Sequence, residues 1–310
     1  MRILVTGGSG LVGTALTRVN KENDLISVSS KQFDLTNLSD AERMIKSTAP
    51  DCIIHLAARV GGINANMTKP ADFFYQNIMI NTNVLHSAFN YNVKKVVSML
   101  STCIFPNNVK YPLEEEDIHA GEPHDSNFAY SYAKRMLDVQ SRAYRAQYGC
   151  NFVTAVPNNL FGKNDNFDLE DSHVIPAMIR KFHDAVASKS KKVTLWGNGK
   201  ALREFTYSDD IARQLLFVAE KYNDPNPINL GTSQEVSIRK LAEIIADASG
   251  FAGDIEWDEN MPTGQLRKPS DKSKIKALGW DMSSFTDLSR GISETCSWYK
   301  NSYPNIRGVN

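Results

Sequence analysis

Residues 2–13 of the chain read RILVTGGSGLVG, and this stretch decides the fold. Its first part, Arg2–Thr6, is a short apolar run rich in strand-forming residues. The glycines follow at once, and after them Ala15, Leu16 and Val19 recur with the spacing of one helix face. The stretch therefore predicts a strand, a tight glycine turn and a helix, in that order.

Three glycines of this turn have distinct expected roles. Gly7 permits the tight turn, Gly10 lets the backbone approach a pyrophosphate, and Gly13 allows the helix to pack closely against the strand. The free N–H groups and the dipole of the helix N-terminus favour anions at the same place. We therefore predict a dinucleotide-binding turn, with Leu11 and Val12 as further cofactor contacts.

The end of the second predicted strand indicates which dinucleotide binds. NAD-binding chains usually carry an acidic residue there, which holds the ribose hydroxyls. Here the strand Leu25–Val28 is followed by Ser29, Ser30 and Lys31, and hydroxyls with a cation suit the 2′-phosphate of NADP. Asp34 is the competing candidate for a ribose contact, but it begins a segment typical of a loop into the next helix. The sequence favours NADP over NAD.

The composition narrows the class of protein. The chain has 310 residues, enough for one large or two modest domains. Its 35 basic and 35 acidic residues balance, which argues against bulk attraction to nucleic acid or to an anionic membrane. No stretch approaches the roughly 20 apolar residues of a membrane span and the N-terminus does not resemble a signal peptide, so we expect a cytoplasmic protein. The four cysteines lack the spacing of a metal site or a disulfide framework.

Strand and helix patterns alternate through the first half of the chain. Further strands are predicted at 52–56, 95–100 and 152–156, and long helices at 70–89 and 128–148. This alternation predicts an α/β protein with a doubly wound parallel sheet of the Rossmann type. We expect residues 1–160 to form the dinucleotide-binding domain.

A smaller, discontinuous α/β lobe is expected to follow as residues 161–310, and to bind the substrate. It begins with the polar loop 164–171 and a helix from Val174. A helix at 209–222 and a strand at 227–230 suggest that residues 207–231 return to the first domain. Two more helices, 238–248 and 285–299, flank a polar loop at 261–271.

Ser101, Tyr130 and Lys134 form a candidate reductase site. Ser101 follows the apolar strand 95–100, at the carboxyl edge where open α/β sheets bind ligands. Tyr130 and Lys134 are four residues apart and share one helix face, so the ammonium is expected to lower the pKa of the phenol. The phenol then transfers a proton at a carbonyl oxygen that Ser101 also holds, while a hydride reaches the carbon. A Tyr-x-x-x-Lys pair also occurs by chance in surface helices, and here its context favours catalysis.

The glycine turn, the Ser101/Tyr130/Lys134 set and the run NLFG at 159–162 resemble the extended short-chain dehydrogenase/reductases that act on nucleotide sugars. Within that group, STCIFP at 101–106, NDNF at 164–167 and SHVIP at 172–176 resemble the GDP-L-fucose synthase family. The resemblance implies NADPH-dependent conversion of GDP-4-keto-6-deoxy-D-mannose to GDP-L-fucose, by epimerisation at C3 and C5 and reduction at C4. The expected cofactor contacts are Gly7, Gly10, Leu11, Val12, Gly13, Ser30, Lys31, Asp34, Leu56, Tyr130 and Lys134.

Epimerisation requires two acid/base groups beyond the reductase set. C3 and C5 both lie beside the C4 carbonyl, so their protons become removable when Ser101 and Tyr130 hold the enolate oxygen. Cys103 is two residues from Ser101, and therefore on the same side if the strand stays extended. His173 titrates near neutrality and can return a proton to the opposite face. The family suggests Cys103 as base and His173 as acid; the alternatives are a buried apolar thiol and a histidine that packs at a helix entry.

The resemblance also implies how a GDP sugar is held. Its diphosphate needs cations and its guanine needs a wall, and the candidates are Asn159, Lys181, Trp196, Arg203 and Lys268. Arg203 is the strongest of these because a planar guanidinium grips phosphate with two hydrogen bonds. Lys181 competes with its neighbour Arg180, and Trp196 can equally be a core residue.

Other readings of the same fold remain open. A nucleotide-sugar 4-epimerase or dehydratase would retain NAD, and a dehydratase would place a carboxylate pair where this chain has Thr102 and Cys103. A catalytically silent NADP-binding regulator would be expected to lack Tyr130 or Lys134, and both are present.

In the resembling family, helices equivalent to 70–89 and 128–148 form a four-helix dimer interface, so we expect a homodimer.

Overall fold

The computed structural model describes residues 1–261 and 266–309. Part of the predicted loop at 261–271 therefore lies outside the described residues. In the part that is described, no helix is long and apolar enough to cross a membrane. The same residues contain no group of His, Cys, Asp and Glu side chains that could hold a metal ion.

Eleven strands and ten α-helices make up the described regular structure. The strands are β1 Arg2–Thr6, β2 Asp24–Ser27, β3 Cys52–His55, β4 Lys95–Met99, β5 Phe152–Pro157, β6 Asn159–Phe161, β7 Lys192–Trp196, β8 Leu202–Tyr207, β9 Ile228–Leu230, β10 Glu235–Ser237 and β11 Asp254–Asp258. The helices are α1 Leu11–Val19, α2 Leu38–Thr48, α3 Ile63–Thr68, α4 Pro70–Asn90, α5 Phe128–Tyr148, α6 Val174–Ala187, α7 Ser208–Lys221, α8 Ile238–Ser249, α9 Ser273–Ala277 and α10 Leu288–Ser302. Short 3₁₀ turns occur at Thr102–Ile104, Glu115–His119 and Asp125–Asn127.

The large sheet has six parallel strands in the order β2-β1-β3-β4-β5-β9. The order reverses between β1 and β3, and in doubly wound sheets ligands bind at the carboxyl ends of the strands beside such a reversal. The glycine turn follows β1 at this point. The prediction of an α/β fold with a doubly wound parallel sheet is therefore confirmed.

Continuous apolar strands explain why both faces of this sheet are covered. Successive side chains of a strand point to opposite faces. In β1, Leu4 packs into a core with residues of α2, α4 and α5, while Ile3 and Val5 pack into a second core with α1 and α7. All three residues are completely buried.

A second lobe lies beyond β5. It contains a three-stranded sheet, β10-β8-β6, and a two-stranded sheet, β11-β7. A third apolar core joins α6, α8 and α10, with Phe161, Phe182 and Tyr299 at its centre. The short strand β9 pairs with β5 in the large sheet, so the chain passes from the second lobe back to the first.

Several predicted elements agree closely with the structure. The helices predicted at 70–89 and 128–148 are α4 and α5, and the helix predicted at 209–222 is α7. The second strand begins one residue earlier than predicted. The helix α3 was not predicted, because its six residues are too few to show helical periodicity.

Candidate active site

The glycine turn joins β1 to α1. Gly7 has a φ of 69°, in the left-handed region that favours glycine, and a Cβ there would lie 2.9 Å from the backbone nitrogen of Ala57. Gly10 is the N-cap residue of α1, without a side chain to cap it. A Cβ on Gly13 would lie 2.5 Å from the Cα of Gly8, so the helix can approach the turn only with glycine at this position. The first turn of α1 therefore presents its N–H groups to an anion, as a pyrophosphate requires.

The segment after β2 has free cationic and hydroxyl groups. Ser30 and Lys31 are exposed, and Lys31 makes no ion pair with any residue that the structure describes. Asp34 differs, because its carboxylate accepts hydrogen bonds from the side chains of Thr36 (2.7 Å) and Asn37 (3.0 Å). The carboxylate of Asp34 is thus engaged in its own loop, which fits a 2′-phosphate on Ser30 and Lys31 better than a ribose on Asp34.

Ser101 lies directly beyond the end of β4, but the chain does not remain extended to Cys103. β4 ends at Met99, and Thr102–Ile104 forms a 3₁₀ turn with Ser101 as its N-cap residue. The amide of Cys103 donates to Ser101 Oγ at 3.5 Å. The expectation that Cys103 shares a side with Ser101 because the strand is extended is therefore wrong; the turn determines where the thiol lies.

Lys134 lies one helical turn after Tyr130 on α5. Its Nζ is 6.0 Å from the centroid of the Tyr130 ring and donates to the carbonyl of Met99 at 2.9 Å. Burial lowers the pKa of Lys134 to about 8. Burial and the nearby Cys103 raise the pKa of Tyr130. The pKa of Tyr130 is thus raised, and not lowered as its spacing to Lys134 had predicted, because burial penalises the charged phenolate.

Cys103 is half-buried among the groups of the reductase set. It packs against an apolar cluster that includes Phe73 and Tyr130. Lys134 and Lys268 both interact electrostatically with it, since a charge on the thiol would raise the pKa of each. The thiol therefore lies beside the phenol, within electrostatic reach of two cationic side chains.

His173 is the N-cap residue of α6, on the loop that enters the second lobe. The N–H of Gly62 donates at 2.9 Å to the carbonyl two residues before His173. A Cβ on Gly61 would lie 3.0 Å from the ring of Phe73, which packs edge-on against Tyr130 at 6.3 Å between centroids. His173 is exposed, yet enough protein surrounds its ring to lower its pKa by desolvation.

Lys181 and Trp196 form a surface pair in the second lobe. Lys181 Nζ lies 5.8 Å from the centroid of the Trp196 ring and donates to the carbonyl of Thr194 at 3.1 Å. Trp196 is 53% exposed, so it is a candidate ligand wall and not a core residue. Arg180, the alternative to Lys181, donates instead to the carbonyl oxygens of Phe167 (3.0 Å) and Gly308 (2.6 Å).

Arg203 and Lys268 are close enough to influence each other. Burial lowers the pKa of Lys268, and the charge of Arg203 lowers it further. Arg203 is itself half-buried beside Tyr111, and its Nη1 donates to the carbonyl of Leu202 at 2.7 Å. Lys268 also interacts electrostatically with Cys103, which connects this pair of cations to the reductase set. Asn159, at the start of β6, donates to the carbonyl of the residue after Arg203 at 3.0 Å.

The match to known proteins extends over most of the chain. Residues 3–231 match the NAD dependent epimerase/dehydratase family. The chain belongs to this family. Among its relatives, GDP-L-fucose synthase of Dictyostelium discoideum is 40% identical over an alignment 312 residues long, gaps included. The alignment covers 98% of this chain and 97% of the relative. GDP-L-fucose synthase 1 of Arabidopsis thaliana is 40% identical over 301 residues, covering 96% and 93%.

Solved structures of the family agree with these relatives. A crystal structure of a GDP-L-fucose synthetase from Naegleria fowleri, bound to NADP, superposes with a TM-score of 0.93 at 38% identity. The match covers 98% of this chain and 94% of that chain. The resemblance to GDP-L-fucose synthases inferred from the sequence is confirmed.

Two groups of residues support the reductase set in this family member. His55 lies between Thr6 Oγ1 (2.8 Å) and Asn81 Oδ1 (3.1 Å), and Asn81 donates to the carbonyl of Ala133, next to Lys134. Burial, with Lys134 nearby, lowers the pKa of His55 to about 3, so the ring is neutral. The second group is Ser131 and Arg135, which follow Tyr130 and Lys134 by one residue each. In the sequence, this position one residue after each member of the reductase pair was the only indication of their role.

Proposed function

We propose that the protein converts GDP-4-keto-6-deoxy-D-mannose to GDP-L-fucose with NADPH, by epimerising C3 and C5 and then reducing C4. The position of Cys103 beside Tyr130 and Lys134 carries the proposal. A thiol next to a carbonyl-reducing pair allows proton abstraction and reduction within one site. The relatives named GDP-L-fucose synthase and the NADP-bound structure of one of them support the same reaction.

The cofactor is proposed to bind along the carboxyl edge of the large sheet. Gly7, Gly10 and Gly13 open the N-terminus of α1 to the pyrophosphate, and Ser30 with Lys31 binds the 2′-phosphate. When bound, NADPH supplies the hydride for C4. Leu11, Val12 and Leu56 are the proposed apolar and backbone contacts along the same edge.

Epimerisation requires the C4 oxygen to be held while protons leave C3 and C5. Ser101 and Tyr130 provide the hydrogen bonds to that oxygen, which stabilise the enolate. Cys103 removes the proton and His173, from the second lobe, supplies one on the opposite face of the ring. The reverse assignment of base and acid is the alternative.

Reduction uses the same two oxygen-binding groups. A tyrosine is protonated at neutral pH and burial raises the pKa of Tyr130 further, so its phenol can donate its proton as the C4 oxygen becomes an alkoxide. Lys134 stays within 6.0 Å of the phenol ring and stabilises the phenolate that forms. Its hydrogen bond to Met99 fixes the ammonium at this distance.

The second lobe is proposed to bind the GDP moiety. We assign residues 1–160 and 207–231 to the domain that binds the dinucleotide. The rest of residues 161–310 forms the lobe that binds the nucleotide sugar. Trp196 forms the wall for guanine with Lys181 above it, and Asn159, Arg203 and Lys268 bind the sugar and its diphosphate.

A homodimer through α4 and α5 is a further part of the proposal. Both helices expose apolar side chains, among them Phe74 (43%), Tyr75 (61%), Met136 (39%) and Val139 (40%). A second copy would cover this surface. A monomeric mass by light scattering at micromolar concentration would exclude the dimer. A cytoplasmic location likewise stays a prediction.

The reaction is tested with the purified protein, GDP-4-keto-6-deoxy-D-mannose and either NADPH or NADH. We expect oxidation of NADPH in preference to NADH, and a product that co-elutes with GDP-L-fucose. Cys103→Ser should abolish that product while cofactor binding, followed by fluorescence, persists. A product with the unaltered ring configuration would identify a simple 4-keto reductase, and an enzyme that retains NAD through purification would point to an epimerase or dehydratase.

A further inference from the structure

The thiol of Cys103 lies on a short turn with weak hydrogen bonds of its own, from Ile104 N to Ser101 O (3.2 Å) and from Phe105 N to Thr102 O (3.4 Å). Thr102–Ile104 is a single 3₁₀ turn of three residues, and such turns have poor hydrogen-bond geometry and little intrinsic stability. The amide of Cys103 is only 3.5 Å from Ser101 Oγ, at the long limit of a hydrogen bond. Contacts from elsewhere in the fold therefore contribute to holding the turn, and with it the thiol.

Two side chains of α5 provide those contacts. Ser131 Oγ lies 3.0 Å from the carbonyl oxygen of Cys103, and 3.2 Å from Asn127 Oδ1. Arg135 Nε donates to the carbonyl of Ile104 at 2.6 Å. The guanidinium thereby binds the last residue of the turn, and the serine hydroxyl binds its middle residue.

Arg135 also ties the turn to the segment that follows it. Its Nη1 donates to the carbonyl of Gly121 at 2.7 Å, so one guanidinium bridges two stretches of chain. The residue is only 4% exposed, and Ser131 is completely buried. Fixed buried donors of this kind hold a backbone segment far more firmly than exposed ones.

The charge of Arg135 is not neutralised by a carboxylate. Within the described ranges the guanidinium makes no ion pair, and its Nη2 is buried without a hydrogen-bond partner. Its nearest aromatic neighbour is Tyr132, 5.4 Å from the ring centroid. Because the guanidinium binds the carbonyl of the residue after Cys103, it lies near this thiol and interacts with it electrostatically. Tyr130, Lys134 and Lys268 also interact electrostatically with the thiol, and they stay unchanged in the variants below. A positive charge beside a thiol favours the thiolate, which is the form that abstracts protons.

We propose that Ser131 and Arg135 are positioning residues for Cys103: they clasp the 102–104 turn, and Arg135 places its unpaired positive charge beside the thiol. The clasp follows the Tyr130/Lys134 pair by one residue, which is a rotation of about 100° around the helix. One face of α5 thus carries Tyr130 and Lys134, and the adjacent face carries the two residues that hold the turn of Cys103. The catalytic meaning of the clasp rests on the proposed function; its physical effect on Cys103 does not.

The effect is measured without substrate, by alkylation of Cys103 with iodoacetamide between pH 6 and pH 10. Peptide mass spectrometry distinguishes Cys103 from Cys52, Cys150 and Cys296. We expect Arg135→Met to slow alkylation at pH 7 by about tenfold and to move the midpoint of the rate profile upward by about one pH unit. Arg135→Lys, which keeps the charge but loses the fork, should restore most of the midpoint shift.

Arg142→Met is the matched control. Arg142 lies two turns further along α5, is 44% exposed and pairs with Asp138 at 2.9 Å, away from the turn. Its alkylation profile should equal that of the wild type. If Arg135→Met does not fold, Arg135→Lys and Ser131→Ala carry the test, and Ser131→Ala should change the rate at every pH while leaving the midpoint in place.

An unchanged midpoint in Arg135→Met, or a wild-type Cys103 that resists iodoacetamide over the whole range, would overturn the proposal. Deuterium exchange into GDP-4-keto-6-deoxy-D-mannose without NADPH separates this result from the proposed function. Exchange should slow at least tenfold in Arg135→Met and stay unchanged in Arg142→Met. If the alkylation profile shifts as expected but the wild type exchanges no deuterium, the clasp stands and the epimerase function does not.

Discussion

Lys134 Nζ donates a hydrogen bond of 2.9 Å to the carbonyl of Met99, the last residue of β4. The contact joins α5 to the strand end that leads into Ser101. It brings the phenol of Tyr130 and the hydroxyl of Ser101 to one edge of the sheet. The same lysine therefore has a structural role as an anchor and a proposed electrostatic role in catalysis.

Lys134→Met tests the energetic consequence of this buried ammonium. The pKa of Lys134 falls from 10.5 to about 8 on folding, so between these values the unfolded chain binds a proton that the folded chain has lost. Stability then rises with pH in that window, and the full cost of the buried charge, of order 3 kcal/mol, is present below it. We expect the wild type to gain stability relative to Lys134→Met from about pH 8 to 10.5 in urea unfolding. A pH-independent difference would contradict the account.

Lys95→Met should destabilise the protein much more than Lys94→Met. Lys95 is buried, and its Nζ donates to the carbonyl oxygens of Val218 (3.0 Å) and Tyr222 (2.6 Å) at the end of α7. Its loss leaves the carbonyl of Tyr222 without this donor and removes the second donor to Val218, whose carbonyl still accepts from the amide of Tyr222, at a cost of about 3 kcal/mol. Lys94 is 78% exposed and pairs with Asp51, so its removal should cost less than about 1 kcal/mol. If Lys95→Met and Lys94→Met lose the same free energy of unfolding in urea, the hydrogen bonds of Lys95 to the end of α7 are not important for stability.

Glu204→Gln should both destabilise the protein and weaken substrate binding. Glu204 Oε2 accepts from Ser270 Oγ (3.0 Å) and Lys272 Nζ (3.4 Å), and both partners are buried. The variant removes the ion-pair partner of the Lys272 ammonium, with Glu115 and Asp271 left as more distant negative charges, at a cost of about 3 kcal/mol. The segment just after Lys268 is then held less firmly, so KM for the GDP sugar should rise more than kcat falls.

The exposed pair Glu235 and Arg267 provides the control for this effect. It ties the same segment to β10, but Arg267 is 56% exposed. Glu235→Gln should therefore cost less than about 1 kcal/mol and leave KM within twofold. A larger effect from Glu235→Gln than from Glu204→Gln would contradict the importance of the buried anchor.

Asp165→Asn should become relatively more stable as the pH rises from about 4 to 7. Burial raises the pKa of Asp165 from 3.8 to about 7, and its Oδ2 has no hydrogen-bond partner among the described residues. Between these values the folded chain holds a proton that the unfolded chain has lost, so wild-type stability falls with rising pH. The amide of the variant does not ionise and has no such pH-dependent cost. The difference in free energy of unfolding between the variant and the wild type should therefore grow by about 2–4 kcal/mol. It is measured by urea unfolding at pH 5 and pH 8, and an unchanged difference would show that the carboxylate is solvated.

The parts of the fold that the sequence predicts are those with strong local patterns. The strand, glycine turn and helix of residues 2–19 depend on glycines that only one backbone geometry explains. The apolar strands and the long helices α4 and α5 follow from burial on fixed faces. The pair Tyr130 and Lys134 was found for the same reason, since helical spacing alone places both on one face.

What the sequence did not predict depends on contacts between distant residues. The 3₁₀ turn at Thr102–Ile104 is held by Ser131 and Arg135, almost thirty residues later. The raised pKa of Tyr130 results from burial, which depends on the whole fold and not on the spacing to Lys134. Glu204 and Lys272 form their ion pair across 68 residues, with no local pattern to indicate it.

The most direct test of the proposed reaction is to incubate the protein with GDP-4-keto-6-deoxy-D-mannose and NADPH in deuterated water, and to assign the product by NMR. We predict GDP-L-fucose with deuterium at C3 and C5 and with NADPH consumed, and loss of both labels in Cys103→Ser. Reduction at C4 without inversion or deuterium uptake would contradict the account, and would leave Cys103 and His173 without a catalytic role.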